Sequence, residues 1–362
     1  MMKPKKILIV LHGAIGDVTR GLSLACRIKA AWAEVELTWA VEPLSKDLVL
    51  NHKAIDHVII FDRPKGFPAY MRFISELRAQ NFDLVLDLQR HFKSGITSLL
   101  TGAPQRVGFN QHNAKEFNWI FSSKKIKAVE NFSAKIEHYH LFGDLLGLTR
   151  QQPYDFGLAP NYSTQQEVWR LISEEAALQQ VEISKEESKY ALLLGSAWPS
   201  RFWQESYFVE VVNSLYREFG AKALLVGGKS EADIARSIFK HAVKGSAIDL
   251  TCKTKLSELG ALFCFCRFAA GSDCGPMHIA AAVGIPVISF FGATSEKRSA
   301  PYGSEHLVLN VKAECSPCYK RECPGMDMIC MKNITSGMVL ELARNILDSK
   351  ATVSNSIEYG GK

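Results

Sequence analysis

The sequence predicts an α/β protein made of two tandem halves, each with a parallel sheet, and three observations carry that expectation. Short apolar, β-branched runs alternate with helical patterns. The alternation stops in a polar stretch at 150–188 that holds Pro153, Pro160 and Asn161, then restarts. A chain of 362 residues, 47% hydrophobic and 22% charged, can bury a full core and suits two domains better than one.

In the first half, Lys6–Leu11, Glu36–Val41, His57–Phe61 and Asp83–Leu88 read as strands, with helices near 20–32, 68–80 and 93–101. The 150–188 stretch, ending in a Glu-rich helical segment, reads as the linker region. Beyond it, strands are expected at Tyr190–Leu194, Lys222–Val226, Ala247–Leu250, Arg267–Gly271 and Pro286–Phe291. Helices are expected between them near 205–219, 230–240, 256–264 and 276–283. This divides the chain into Rossmann-like domains over 1–160 and 161–350, with a frayed tail at 351–362. Two such sheets in tandem bring two carboxyl-end crevices face to face, so ligands are expected in the cleft between the domains and chemistry in the loops after strands.

Composition narrows the function classes. Apolar runs such as Ile7–Leu11 and Pro286–Phe291 are far shorter than the roughly 20 residues of a membrane-spanning helix. The basic start at Lys3, Lys5 and Lys6 leads into a strand rather than a signal peptide, so the chain is expected to be cytoplasmic. Nine scattered cysteines agree with a reducing compartment, and Cys26, Cys252, Cys264, Cys266 and Cys274 read as small buried hydrophobes. Residues 1–160 hold 21 Lys and Arg against 15 Asp and Glu, whereas residues 161–362 hold 22 of each, so the whole net charge of +6 sits in the first half. Such asymmetry suits an anionic partner: a phosphorylated or carboxylated substrate, a membrane surface or nucleic acid. A solvated basic face accounts for it equally well.

Four motifs follow strands. Gly13-Ala14-Ile15-Gly16-Asp17 turns the chain at a helix N-terminus, a natural anion site, and places the Asp17 carboxylate at the cleft end of the first strand. The plainer role for Asp17 is a helix N-cap. Gly195-Ser196-Ala197-Trp198-Pro199-Ser200-Arg201 offers the Ser196 hydroxyl and the Arg201 guanidinium to phosphate, or else a structural Arg among packed tryptophans. Gly227-Gly228-Lys229-Ser230 fails as a P-loop because Ala223 stands where glycine is required. Gly271-Ser272-Asp273-Cys274-Gly275-Pro276-Met277-His278 ends a strand in Asp273 and opens the backbone at Gly275. It then starts a helix at Pro276 with His278 just inside, aiming free N–H groups at a diphosphate.

In order and spacing these motifs, with Phe291-Gly292-Ala293-Thr294 and Pro301-Tyr302-Gly303, resemble glycosyltransferase family nine, which includes the ADP-heptose:lipopolysaccharide heptosyltransferases. Within it, Asp83-Leu84-Val85-Leu86-Asp87-Leu88-Gln89, Lys93-Ser94-Gly95 and Arg106-Val107-Gly108-Phe109 look more like the type I enzymes, which act on Kdo-lipid A. The resemblance implies a GT-B fold and an inverting transfer from an ADP-heptose donor to an anionic lipid A-type acceptor at the inner face of the cytoplasmic membrane. It assigns Asp17 as general base; Ser196, Arg201, Asp273, Gly275, Pro276 and His278 to the donor; and Gly16, Arg63, Lys65, Lys93 and Arg106 to the acceptor. Two departures stand out: Ala197 replaces a family hydroxyl, and Lys229 falls where some members carry a donor-contacting glutamate. No D-x-D string occurs, so the expectation is a metal-independent enzyme without cofactor.

Cys315, Cys318, Cys323 and Cys330 put four thiols in sixteen residues, readable as a zinc site or, by preference, as a compact loop of reduced cysteines. Rival functions fit less well. A nicotinamide oxidoreductase should show G-x-G-x-x-G, which Gly13 to Gly16 do not supply, and no aromatic-basic platform suggests nucleic acid. A non-catalytic nucleotide-sugar binder and an enzyme acting on a later inner-core heptose stay open.

Overall fold

β1 (Lys6–Val10) is buried at every position after the first, as a central parallel strand must be when helices cover both faces. It anchors a six-stranded sheet completed by β2 (Glu36–Val41), β3 (His57–Ile60), β4 (Leu84–Asp87), β5 (Gln105–Gly108) and β6 (Lys124–Lys125), in the order β3-β2-β1-β4-β5-β6. A second six-stranded sheet comprises β7 (Lys189–Leu193), β8 (Lys222–Val226), β9 (Ala247–Asp249), β10 (Ala269–Ser272), β11 (Val287–Phe290) and β12 (Val308–Leu309), in the order β12-β11-β10-β7-β8-β9. All pairings are parallel. The structure, a computed structural model, describes residues 3–325 and 327–349; the expected tail lies outside the described residues.

Counted within its own half, each sheet has the same strand order, so each has its switch point beside its first strand, between β1 and β4 and between β7 and β10. The Asp17, Ser196 and Asp273 loops leave from these switch points.

Helices α1 (Ile15–Ala31), α2 (Gly66–Ala79), α3 (Phe92–Leu100) and α4 (Lys135–Leu145) serve the first sheet. Helices α5 (Tyr162–Leu178), α6 (Glu205–Phe219), α7 (Ala232–His241), α8 (Leu259–Phe263), α9 (Gly275–Ala282), α10 (Glu296–Ser299), α11 (Ile329–Lys332) and α12 (Ser336–Asp348) follow. The Asn161 side chain caps α5 by accepting from Thr164 N at 2.8 Å, and Gly220, with φ of 63°, closes α6 in the left-handed region.

Several expectations shift. α5, read as part of the linker, packs against α8 and β9, so it belongs to the second layer system. Its polar face misled the sequence reading, whereas Val168, Ile172 and Ala176 are buried. Strands β5, β6 and β12 and helices α4 and α12 had no sequence assignment; the three strands are only two to four residues long and lack a sustained apolar run. Cys26 and Cys266 are buried as expected, but Cys274 is only half-buried and Cys252 and Cys264 are exposed. Cys252 occupies a left-handed turn after β9 with φ of 61°, and Cys264 sits just past the end of α8.

One hydrophobic core runs through both halves, joining Val18 and Leu22 of α1 with Met277 and Ile279 of α9. Tyr154, in the connection between the halves, is stacked between His140 at 3.7 Å and Tyr302 at 5.0 Å. The facing arrangement is therefore packed, not merely tethered.

Candidate active site

Two glycines let the helices that follow β1 and β10 meet end to end. A Cβ on Gly16 would fall 2.4 Å from Cδ2 of His278, and one on Gly275 would fall 2.6 Å from Cβ of Ile15. No other residue permits this approach without displacement. Gly16, expected to face the acceptor, thus has a steric role at the junction of the two halves.

Asp17 stands in the first turn of α1, where Ala14 and not Asp17 is the N-cap residue. Its Oδ1 accepts from Arg20 Nη1 at 2.8 Å and Lys135 Nζ at 2.9 Å, and its Oδ2 accepts from Lys135 Nζ at 3.1 Å. Burial alone would raise its pKa, but Lys135 and Arg20 outweigh that cost and hold it below the ordinary carboxylate range. Asp17 is an anion, with Oδ2 its less engaged oxygen.

Arg20 links three segments. Besides Asp17 it reaches Nε2 of His278 at 2.6 Å and the Ser299 carbonyl at 3.2 Å. A guanidinium can only donate, so His278 Nε2 accepts and the ring proton resides on Nδ1. Burial, then Arg20 and Lys135, keep His278 neutral, with a pKa well below its usual value.

On the other wall, Asp273 is the hub. Its carbonyl accepts from Ser196 Oγ at 3.0 Å and Arg201 Nη1 at 3.1 Å, while its Oδ2 accepts from Thr294 Oγ1 at 2.7 Å and lies 3.1 Å from Arg201 Nη1. The Arg201 guanidinium lies 4.0 Å over the Trp198 ring, and its Nε is buried without a hydrogen-bond partner. The sequence-named residues Ser196, Arg201 and Asp273 therefore converge on the turn before α9, where Gly275, Pro276 and His278 form the first helical positions.

The acceptor residues named from sequence are more dispersed. Arg63 pairs with Glu42 at 3.2 Å and Lys65 with Asp62 at 2.7 Å, both exposed after β3, and Lys93 is exposed in the first turn of α3. Arg106 spends its guanidinium on the carbonyls of Phe121 at 2.9 Å and Ala103 at 2.7 Å, tethering β5.

Sequence reasoning missed the cations that do surround Asp17. Lys135, at the start of α4, and Arg298, in α10, both act electrostatically on it. Arg90 has a lowered pKa, through burial first and then through neighbouring Arg298. A cavity of about 250 Å³ beside this group is lined by Arg20, Lys135, Phe156, His278, Arg298 and Tyr302. Arg20, Lys135 and Arg298 come from three different helices, so no local pattern joins them.

Two carboxylates were also overlooked. Glu231 is buried between the loops after β7 and β8, accepting from Gly228 N at 2.7 Å and Ser230 Oγ at 2.6 Å, whereas Lys229 is exposed. The acidic group of that loop is thus two residues beyond Lys229. Asp87 ends β4 and is pushed up to about 6 by burial, against the hydrogen bonds from Asn118 at 2.7 Å and Ser94 at 3.0 Å. Cys315, Cys318 and Cys323 are half-buried and Cys330 is buried; among the described residues no three His, Cys, Asp or Glu side chains gather as a metal-holding group.

Comparison with known proteins gives the family and the fold. The chain is 24% identical over 316 residues to the lipopolysaccharide core heptosyltransferase OpsX of Haemophilus influenzae, covering 86% of each chain. It is 24% identical to lipopolysaccharide heptosyltransferase 1 of Campylobacter coli, over 82% of this chain and 86% of that one. Among solved structures, a family 9 glycosyl transferase from Veillonella parvula superposes with a TM-score of 0.81 at 17% identity, covering 95% of this chain and 97% of that one. The E. coli heptosyltransferase WaaC with ADP superposes with a TM-score of 0.72 at 19% identity, covering 94% and 99%. The two facing sheets are thus the GT-B fold expected from sequence. Because the family model described as glycosyltransferase family 9 (heptosyltransferase) matches residues 70–328, well over half of the sequence, the chain belongs to that family of glycosyltransferases.

Proposed function

We propose that this protein transfers heptose from ADP-heptose to the inner core of lipopolysaccharide, with Kdo-lipid A as acceptor, and that Asp17 is the general base. The observation that carries the reading is an ionised, half-engaged carboxylate on α1 set against the N-terminus of α9, with only glycine between the two helices. The acceptor hydroxyl attacks the anomeric carbon and gives its proton to Asp17 Oδ2. The bond from that carbon to the β-phosphate oxygen breaks on the opposite face, ADP leaves with the electron pair, and the configuration inverts. Charge growing on the diphosphate is met by Arg201, which Asp273 and Trp198 hold at the turn, and by free N–H groups at the start of α9.

The relatives named for lipopolysaccharide core heptose transfer support the pathway class, and the similar E. coli WaaC structures with ADP and with ADP-2-deoxy-2-fluoro heptose support the donor. The basic first half suits an acceptor bearing carboxylates and phosphates, and peripheral contact with the inner membrane follows from that acceptor. A later inner-core position is the second reading, favoured by 29% identity over 154 residues to lipooligosaccharide heptosyltransferase 2 of Campylobacter jejuni.

The deciding experiment offers purified protein ADP-heptose with Kdo-lipid A or with heptosylated Kdo-lipid A and identifies the product by mass. Transfer only to the second moves the assignment to the later position, and transfer to neither refutes heptosyl transfer to this core. Asp17→Asn should still bind donor yet lose turnover by about 100-fold or more. Normal turnover would end the base assignment.

A further inference from the structure

The first half exposes a group of large apolar side chains interspersed with charged residues. Residues 63–68, the segment Arg63-Pro64-Lys65-Gly66-Phe67-Pro68, are all exposed and run into α2, where Phe67 is 71% and Met71 49% exposed. From Arg63 to Arg72 there are three cations and no carboxylate. α2 touches α3 through Tyr70 and Thr97, whose hydroxyls are 3.3 Å apart. At the start of α3, Phe92 is 40% exposed beside exposed Lys93. Asn118 then binds the His91 carbonyl at 2.7 Å, which seats the turn carrying Phe117, 72% exposed, and Ile120, 53% exposed, next to α3. Lys115 precedes that turn and is exposed. These segments form one face, since each is joined to the next by a direct contact.

We infer that this face, formed by the start of α2, the start of α3 and the 115–120 turn, docks the enzyme on an anionic lipid bilayer, with Phe67, Met71 and Phe117 entering the headgroup region. The inference rests on the proposed use of a lipid-linked acceptor. Soluble proteins keep large apolar side chains exposed at such density mainly where something covers them. Charge complementarity selects the cover. Exposed Arg72 follows Met71 and exposed Lys93 follows Phe92, the mixture that anionic headgroups and the upper acyl region accept together, whereas Arg63 and Lys65 precede Phe67 within ion pairs to Glu42 and Asp62, and Glu116 stands between Lys115 and Phe117.

Placement agrees with the chemistry. α2 and α3 begin after the carboxyl ends of β3 and β4, on the same edge of the sheet from which β1 delivers Asp17. An acceptor rooted in the bilayer under this face would present its sugar to the cleft without leaving the membrane. The second half, with balanced charge, is left free to bind and release the nucleotide from solution.

The test floats the full-length protein with vesicles of equimolar phosphatidylcholine and phosphatidylglycerol, or of phosphatidylcholine alone, with no acceptor or donor present. The wild type should float with the anionic vesicles and stay at the bottom with the neutral ones. The triple variant Phe67→Ser, Met71→Ser, Phe117→Ser should bind anionic vesicles at least about tenfold more weakly, and Arg72→Glu should weaken binding and its sensitivity to salt. Both variants should transfer sugar to detergent-dispersed acceptor at the wild-type rate. Absence of wild-type flotation, equal flotation with neutral vesicles, or undiminished flotation of the triple variant would each overturn the docking face. Loss of transfer to dispersed acceptor in the triple variant would also overturn it, by reassigning the residues to acceptor binding. If the wild type floats but transfers nothing, the proposed reaction fails while the docking face stands.

Discussion

Replacing Gly16 by alanine tests the contact that brings the two halves together. The new methyl group would lie 2.4 Å from Cδ2 and 3.1 Å from Nε2 of His278. The ring cannot turn away freely, since it is buried and its Nε2 is held 2.6 Å from Arg20. Overpacking of this kind costs about 1–3 kcal/mol. Opposing it, alanine in the first turn of α1 recovers up to about 1 kcal/mol of helix propensity. The net effect on global stability is therefore small, whereas the steric cost falls wholly on the apposition of α1 and α9. If 1–2 kcal/mol is lost from the arrangement that sets Asp17 against the proposed donor loop, kcat/KM drops about 5- to 30-fold. Steady-state ADP release read beside a thermal melt separates the two effects, with a lower kcat/KM and a melting temperature changed by only a few degrees expected. Gly275→Ala, whose methyl would meet Ile15, should act through the same apposition, so the double variant should cost less than the sum of the singles. Wild-type kcat/KM in Gly16→Ala would refute the steric reasoning.

Three further outcomes follow from the site. Lys135→Met removes the cation shared by both oxygens of Asp17; the carboxyl pKa should rise, so the acid limb of the kcat/KM profile should move to higher pH while the plateau above it is kept. An unmoved limb would mean that Asp17 is not the group titrating in the rate. Arg201→Ala leaves the Asp273 carboxylate with Thr294 as its remaining side-chain partner, in a pair whose side chains are only 13% and 10% exposed. Breaking such a pair costs about 3–5 kcal/mol, so urea denaturation should show a loss of that order and calorimetry a loss of ADP binding, with partial recovery in Arg201→Lys. Finally, burial holds His12 and His138 at about 4 and His140 at about 3, and it holds His278 well below its usual value. The unfolded chain takes up protons at these positions near pH 6.5 and the folded chain does not, so stability should fall as pH drops below about 6.5, by up to about 1.4 kcal/mol per histidine per pH unit. A stability profile flat from pH 7 to 5 would contradict that assignment.

The sequence alone determined the two parallel-sheet halves and the strand-end loops that carry the proposed donor residues, because both signals are local. A buried parallel strand must be a short apolar run, as Ile7–Val10 and Ala223–Val226 are, and a turn at a strand end must be built from residues such as Gly13, Gly195 and Gly275. The same locality explains the errors: α5 shows a polar face, and only its packing on α8 reveals the buried one. Tertiary structure alone decided how charge is distributed at the site. Lys135 lies 118 residues from the Asp17 it grips, and His278 lies 258 residues from the Arg20 that settles its tautomer. An isolated Lys135 reads as one more surface lysine, and Arg106 reads as an anion contact until its guanidinium is seen on backbone carbonyls. Electrostatic partnership depends on distance in space and on shared burial, and neither quantity is encoded in the spacing of residues along the chain.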